Sequence, residues 1–230
     1  RRHSVQLGGT LAAMNALLRE IQSQKVNVKA DKALQKTYSF CGHEITLQEN
    51  PDGGVAGSLW EAYMLVLNDV AVTATENKAA FQGRRVLELG AGTGLASLLL
   101  AKLGAEVTIT DRHDVLDLLK LNVELNCNNG ERATVEEHSW GESVAGLKAP
   151  YDLIVASECI YNLRYGPLLL ESMLALTEPG SEVLFAYATR NEAEEAKYFE
   201  KVKKSFSLNE VCVDHTIADR KLTLLRLARL

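Results

Sequence analysis

The sequence predicts an α/β fold: a doubly wound, seven-stranded sheet with an antiparallel C-terminal hairpin, preceded by an N-terminal helix and a β-hairpin. From residue 85 onward, short apolar runs alternate with helical patterns, which is typical of a parallel sheet covered on both faces. The last two apolar runs are separated only by a short loop, so we expect them to pair as a hairpin. A glycine-rich turn follows the first run, at the end of a strand where such sheets bind ligands.

The first 57 residues are predicted to form an extension, and residues 58–230 to form the main domain. Within the extension, Thr10–Gln24 carries apolar residues at helical spacing and predicts a helix. Thr37–Asn50 alternates apolar and polar residues on either side of Gly42, which predicts a two-stranded hairpin.

A turn-rich segment, Pro51–Gly57, is expected to connect the extension to the main domain. We expect an apolar helix that contains Trp60 to follow, with Ser58 as its N-cap. The expected strands of the sheet are Arg85–Leu89, Glu106–Thr110, Thr134–His138, Leu153–Ser157, Glu182–Ala188, Leu208–Val213 and Leu222–Leu227. The expected helices among them are Leu95–Leu103, Asp114–Cys127, Arg164–Leu176 and Asn191–Ser205.

Charge and composition limit the kinds of molecule that we expect the protein to bind and the compartment in which we expect it. The net charge of −5 and the isoelectric point near 5.6 argue against a nucleic-acid-binding protein, which normally carries a basic face. No apolar run approaches the roughly 18 residues of a membrane span. The four cysteines show neither a CxxC spacing nor a Cys/His cluster, so neither a metal site nor a disulfide is expected. The cysteine pattern predicts a reducing compartment, the cytoplasm or the nucleus. We also expect a monomer.

The glycine-rich turn indicates the class of cofactor. Gly90, Gly92 and Gly94 follow an apolar strand, and the next strand ends in an acid, Asp111, that can accept two ribose hydroxyls. The spacing GxGxG lacks the third glycine of the dinucleotide fingerprint. Glu88 stands just before the first glycine, where a carboxylate would repel a phosphate and attract a cation. The pattern therefore predicts S-adenosylmethionine, a cationic nucleoside without phosphate, as cofactor, with S-adenosyl-L-homocysteine as the product.

Further candidate residues follow the other predicted strands, and each has a structural alternative. Asp111 could cap a helix, and Trp140 or Trp60 could be a core aromatic. Glu158 could be a solvated loop acid, and Tyr161 a packed ring with a bonded hydroxyl. For Asp111, Trp140, Glu158 and Tyr161, the common position at the carboxyl ends of parallel strands favours a ligand site. Trp60 lies on the predicted helix before the sheet, where packing in the core explains it equally well.

With these motifs the chain resembles the seven-β-strand, S-adenosylmethionine-dependent protein methyltransferases, in particular the family 16 group, most of which methylate lysine. The resemblance extends over Tyr38 to Leu230. It rests on the Leu-Trp60-Glu segment, the Glu88-Leu-Gly-Ala-Gly-Thr-Gly loop, Asp111, the Asn122-x-x-x-Asn126 pair, Trp140-Gly141, and the acid-x-x-Tyr motif from Glu158 to Tyr161.

The resemblance implies a Rossmann-like domain and a role for each matching residue. The residues expected to bind the cofactor are Trp60, Glu88, Gly90, Ala91, Gly92, Asp111, Trp140, Ala156 and Ser157. Glu88 and the glycine loop would hold its methionine and ribose, and Asp111 the ribose hydroxyls. The two tryptophans would pack against it, and Ala156 and Ser157 would lie beneath the methyl donor. The residues expected to face the substrate are Glu158, Tyr161 and Asn162.

The acceptor is predicted from the family majority: a lysine in a protein substrate. One position departs from the pattern, because lysine-directed members usually carry Asp where this chain has Glu158. Glu at this position resembles the histidine-directed branch. A protein histidine or arginine methyltransferase is therefore the first alternative, followed by a small-molecule methyltransferase and a non-catalytic, cofactor-binding interaction module.

Overall fold

The computed structural model of the chain describes residues 34–50, 56–214 and 220–230. The predicted helix Thr10–Gln24 and most of the predicted connector lie outside the described residues. Within the described ranges, no helix has the length and apolar character that a membrane crossing requires.

The described residues form nine strands and five α-helices, and a short 3-10 turn precedes the third and fourth helices. The strands are β1 (Leu34–Phe40), β2 (His43–Glu49), β3 (Arg85–Leu89), β4 (Glu106–Asp111), β5 (Arg132–Glu137), β6 (Leu153–Ser157), β7 (Glu182–Ala188), β8 (Phe206–Asp214) and β9 (Leu222–Arg229). The helices are α1 (Tyr63–Glu76), α2 (Leu95–Lys102), α3 (Leu116–Asn126), α4 (Gly166–Leu176) and α5 (Glu192–Val202). The 3-10 turns are His113–Val115 and Leu163–Tyr165.

Seven strands form one sheet in the order β5-β4-β3-β6-β7-β9-β8. The five strands from β3 to β7 are parallel, whereas β9 is antiparallel to both of its neighbours. This arrangement confirms the predicted doubly wound sheet with its antiparallel C-terminal hairpin. The strand order reverses between β3 and β6, and a reversal of this kind leaves a crevice at the carboxyl ends of the strands.

The central strands are buried on both faces, as their continuous apolar sequences require. All five residues of β6 are buried, whereas the edge strand β5 is largely exposed and polar. Successive side chains of a strand point to opposite faces, and the core accordingly divides in two. Val86 belongs to the cluster that packs α1, α2 and the β1–β2 hairpin onto the sheet, and Leu87 belongs to the cluster beneath α4 and α5.

Two asparagines of α3 fasten the N-terminal hairpin to the domain. Asn122 accepts a hydrogen bond from the Gln48 N–H at 2.7 Å and donates one to the Gln48 carbonyl at 3.1 Å. Asn126 makes the same pair of bonds with Thr46, at 2.9 Å and 2.8 Å. Each side-chain amide therefore pairs with β2 as a neighbouring strand would, because it presents one donor and one acceptor.

The predicted start of the first apolar helix is wrong. Helix α1 begins at Tyr63 with Ala62 as its N-cap, without a side-chain cap, so Ser58 does not cap it and Trp60 precedes it. The residues just before the helix form tight turns, in which Met64 N–H bonds to the Glu61 carbonyl. The other predicted boundaries differ from the observed ones by a few residues; His138, predicted as the end of a strand, follows β5.

Candidate functional site

A cavity of about 680 Å³ opens at the carboxyl ends of β3 to β7. This is the crevice where the strand order reverses, which is the expected ligand site of such a sheet. Most of the residues predicted from sequence meet there. The predicted residues that line the cavity are Trp60, Gly90, Ala91, Gly92, Asp111, Trp140, Ser157, Glu158 and Tyr161.

Three predicted site residues do not line the cavity. Ala156 is fully buried inside β6 and packs into the core beneath α4 and α5. Asn162 caps the 3-10 turn that follows it, because its side-chain oxygen accepts the Arg164 N–H at 3.1 Å. Glu88 is only 1% exposed and lies behind the glycine loop.

Glu88 instead connects three elements beneath the cavity. Its carboxylate accepts hydrogen bonds from the Tyr63 hydroxyl at 2.6 Å, and from the Ser97 backbone N–H at 3.2 Å and hydroxyl at 2.5 Å. Burial raises the pKa of Glu88 to about 7, although these three donors oppose the shift. The Glu88 carboxylate is therefore bonded inside the fold and does not line the cavity where we predicted that it would meet a cationic ligand.

The glycine loop is shaped for close approach of a ligand to the backbone. Gly90 and Gly92 both adopt left-handed conformations, with φ of 63° and 57°. A Cβ at Gly90 would lie 3.0 Å from Cζ2 of Trp140, and one at Gly92 would lie 3.0 Å from the Ala56 carbonyl oxygen. Glycine is required at both positions because L-residues rarely adopt this conformation and their Cβ atoms would crowd the cavity wall.

Asp111 holds the glycine loop from the end of β4. Its Oδ2 accepts the Gly92 N–H at 2.8 Å, and its Oδ1 accepts the Arg112 N–H at 2.8 Å. Burial raises the pKa of Asp111, and the two backbone N–H groups oppose that effect. A carboxylate accepts up to about four hydrogen bonds, so acceptor capacity remains for hydroxyls of a ligand in the cavity.

Two buried hydroxyls in the cavity wall have no partner among the described residues. Thr93 and Ser157 line the cavity, and the side-chain oxygen of each is buried without a hydrogen bond. Buried polar groups are nearly always paired. These two hydroxyls and the glycine-lined wall fit a polar nucleoside of the size and kind of S-adenosylmethionine.

Trp140 forms another wall of the cavity, next to the glycine loop. The turn that carries it is fixed by α4, because Ser172 Oγ accepts the Gly141 N–H at 2.9 Å. The same hydroxyl lies 2.9 Å from Nε2 of His138, a buried side chain whose pKa burial lowers. The flat indole is therefore held where a planar base could stack against it.

Glu158 lies at the cavity in a strained backbone conformation. It is a non-glycine residue with φ of 56°, and its N–H donates to the Ala186 carbonyl at 2.8 Å. Such conformations cost on the order of 1–3 kcal/mol and cluster at functional sites. Its Oε2 accepts hydrogen bonds from both Nη1 and Nη2 of Arg190, each at 3.1 Å. Among the described residues, Oε1 accepts the Ala62 N–H at a long distance of 3.4 Å, and the Ala188 backbone N–H also stabilises the carboxylate.

Sequence reasoning missed Arg190 and two of the four residues at the mouth of the cavity, Tyr165 and Leu168. Arg190 follows β7 as Glu158 follows β6, so the strand-end rule would have found it. The mouth is formed by Trp60, Tyr161, Tyr165 and Leu168, which are each 40–44% exposed. Tyr165 and Leu168 fall in a segment whose pattern predicts only a helix, so nothing in the sequence indicated their position at the cavity.

Comparison with known proteins assigns the chain to a family. The family described as lysine methyltransferase matches residues 39–205. Protein N-lysine methyltransferase METTL21A of Danio rerio is 33% identical over 77% of this chain and 81% of its own length. EEF1A lysine methyltransferase 3 of Mus musculus is 32% identical over 72% of this chain and 70% of its own length.

The fold is also found in solved structures. A T. thermophilus 16S rRNA N2 G1207 methyltransferase in complex with AdoMet and guanosine superposes with a TM-score of 0.63 and 20% identity. The match covers 89% of this chain and about half, 52%, of that one. A magnesium protoporphyrin IX methyltransferase from Synechocystis superposes over 99% of this chain and 100% of its own, with a TM-score of 0.58 and 15% identity. The predicted fold and the predicted methyl transfer from S-adenosylmethionine are thereby confirmed, because the chain belongs to the lysine methyltransferase family.

Proposed function

We propose that this protein transfers a methyl group from S-adenosylmethionine to the ε-amine of a lysine in a protein substrate. The observation that carries the proposal is the position of Glu158, which lines the cavity and whose Oε1 accepts the Ala62 N–H only at a long distance of 3.4 Å. The names of the similar proteins, which are protein lysine methyltransferases, support the choice of acceptor.

The reaction needs an amine with a free lone pair. When bound, S-adenosylmethionine supplies a methyl carbon on a positively charged sulfur, so that an N–C bond forms while the S–C electron pair leaves with the sulfur. A lysine at its reference pKa of about 10.4 is almost wholly protonated near pH 7. The chain must therefore bind the side chain, let its proton pass to solvent and fix the nitrogen in line with the donor. Glu158 Oε1 can accept an amine N–H and orient the lone pair.

The aromatic mouth, formed by Trp60, Tyr161, Tyr165 and Leu168, suits an alkyl chain with a cationic end. Aromatic faces attract an ammonium group with roughly 0.5–2 kcal/mol, and the apolar surface covers the methylenes of a lysine. This arrangement supports a long cationic side chain as the group that enters the cavity.

Histidine is the second candidate acceptor. The observation that favours it is Glu158 itself, because lysine-directed members of the family usually carry Asp at this position. A carboxylate there would accept a hydrogen bond from one imidazole nitrogen and leave the lone pair of the other exposed.

Three further expectations stay predictions: a monomeric state, no direct binding of nucleic acid, and a cytoplasmic or nuclear location. The acidic net charge supports the second of these, and the scattered cysteines support the third.

The test is incubation of the protein with labelled S-adenosylmethionine and a cell lysate, followed by mass spectrometry of the labelled residue. We expect label on lysine in a polypeptide. Glu158→Gln should keep its affinity for S-adenosylhomocysteine and lose about 10- to 150-fold in transfer, since a hydrogen bond to a charged group contributes about 1.5–3 kcal/mol. Label on histidine would select the second candidate, and label only on small molecules would refute a protein acceptor.

A further inference from the structure

We propose that Arg190 is a positioning residue that neutralises Glu158, so that the free oxygen of this carboxylate holds the acceptor amine without stabilising its protonated form. The proposal rests on the proposed function, since it concerns the amine that enters the cavity. It assigns different tasks to the two oxygens of one carboxylate.

The first step of the argument is the geometry of the ion pair. Arg190 donates from Nη1 and from Nη2 to the same oxygen, Oε2, at 3.1 Å each. Among the described residues, the other oxygen, Oε1, accepts the Ala62 N–H at 3.4 Å, which is beyond the usual range of an N–H···O bond. The backbone N–H of Ala188 also stabilises the carboxylate. The pair therefore leaves one oxygen with acceptor capacity at the cavity.

The second step is that Arg190 is fixed in place. Its Nη1 also donates to the Ala188 carbonyl at 3.0 Å, and its backbone N–H donates to Oε1 of Glu195 at 2.7 Å. Glu195 is itself buried and also accepts the Asn191 N–H. The first bond holds the guanidinium at the end of β7, and the second holds the Arg190 backbone at the start of α5. The ion pair is therefore part of the folded site.

The third step is the charge around the pair. Burial raises the pKa of Glu158, and the charge of Arg190 opposes that shift, so the guanidinium stabilises the carboxylate form. The remaining charged groups lining the cavity are Asp111 and Arg112 from β4 and the start of the next turn, and Arg220 before β9. Burial shifts the pKa of three other groups in the cavity wall toward the neutral form: it raises the pKa of Tyr63 and Cys159 and lowers the pKa of His138. Tyr161 and Tyr165 also line the cavity.

The consequence follows from the sign of the two charges. A carboxylate alone beside a lysine raises the pKa of that amine, which opposes the loss of the proton that the reaction requires. A guanidinium on the far oxygen adds a positive charge within a few ångströms and lowers the pKa of the amine again. Oε1 can still accept an N–H of the neutral amine. The carboxylate therefore orients the amine without favouring its protonated form.

The experiment measures the initial rate of label transfer from S-adenosylmethionine to the lysate polypeptide that the wild type labels, from about pH 6 to about pH 10. For Arg190→Gln we expect the rising limb of the profile to move toward higher pH by about one unit, a roughly tenfold loss at a fixed lower pH. Arg190→Lys should keep the wild-type profile, because it keeps the charge. Arg164→Gln, which removes an exposed arginine on the 3-10 turn after Glu158, should also keep it.

Each variant is first checked for thermal unfolding and for S-adenosylhomocysteine affinity, and Arg190→Met replaces Arg190→Gln if the latter does not fold. An unchanged pH–rate profile in Arg190→Gln or Arg190→Met would overturn the inference. A faster reaction of these variants at neutral pH would also overturn it, because it would mean that Arg190 blocks access of the amine to Glu158. These outcomes differ from failure of the proposed function, in which the wild type itself labels no lysine.

Discussion

The Tyr63 hydroxyl donates to Oε1 of Glu88 over 2.6 Å and accepts the Ala96 N–H over 2.7 Å. One hydroxyl thus joins the first helix, the end of β3 and the start of α2. Both side chains are almost fully buried, and burial raises the pKa of each, to about 7 for Glu88. The support of the glycine loop therefore depends on a carboxyl group that titrates near neutral pH.

Replacement of Glu88 by Gln should remove a pH dependence of stability. The pKa of Glu88 rises from 4.5 to about 7 on folding, so its protonated form is stabilised in the native state. This contribution is fully present below about pH 4.5 and is lost as the pH rises through 7. Between these values the free energy of unfolding of the wild type should fall relative to Glu88→Gln by on the order of 3 kcal/mol.

Denaturant titrations of both proteins at several pH values between about 4.5 and 8 measure this difference. Glu194→Gln, at an exposed position on α5, is the control. Its free energy of unfolding should change with pH in the same way as that of the wild type. The same pH dependence of the free energy of unfolding in the wild type and in Glu88→Gln would contradict the prediction.

Asp111→Asn should weaken cofactor binding without unfolding the protein. An amide has only one acceptor oxygen, so it cannot accept both the Gly92 and the Arg112 N–H groups as the carboxylate does. We expect a roughly 10- to 100-fold loss of affinity for S-adenosylhomocysteine by calorimetry, from about 1.5–3 kcal/mol for a charged hydrogen bond. Asp114→Asn, at an exposed acid three residues along, should leave the affinity unchanged.

Gly90→Ala should disturb the cavity through Trp140. The new Cβ would lie 3.0 Å from the indole, at a position whose φ of 63° disfavours alanine. Gly83→Ala is the matched control, because Gly83 has φ of 70° and nothing within 4 Å of the position of a Cβ. Both variants should lose about 1 kcal/mol of stability. Only Gly90→Ala should also lose about tenfold in affinity for S-adenosylhomocysteine. An equal loss of affinity in Gly90→Ala and Gly83→Ala would show that backbone strain alone, and not the contact with Trp140, is responsible.

The two asparagines of α3 should differ in their effect on the cofactor. Asn122 bonds to β2 and also donates to the Thr93 carbonyl of the glycine loop at 3.0 Å, whereas Asn126 donates to the Asn122 carbonyl instead. Asn122→Ala and Asn126→Ala should each destabilise the hairpin by about 1–3 kcal/mol and speed hydrogen exchange in β2. Only Asn122→Ala should weaken S-adenosylhomocysteine binding, and equal affinities in the two variants would refute the link.

Much of the fold could be predicted because it depends on local patterns. The apolar run Leu153–Ser157 predicts a strand buried on both faces, and the structure has β6 over the same residues. The start of α1 could not be predicted, because its N-cap is Ala62, which has no capping side chain and whose N–H points to Glu158, 96 positions away in the sequence. A long-range contact of this kind leaves no local signal at Ser58 or Trp60.

By itself, the sequence determined the order of strands and helices along the chain, the glycine turn that argues against a dinucleotide, and the acids at or near the strand ends. These depend on periodicity, on the backbone freedom of glycine and on the rule that parallel strands end at one edge. Only the tertiary structure decided what each acid does: Glu88 is bonded inside the fold, Asp111 holds the loop, and Glu158 is paired with Arg190. The physical reason is that burial and partners fix the charge and the free lone pairs of a carboxylate, and partners distant in the chain meet only on folding.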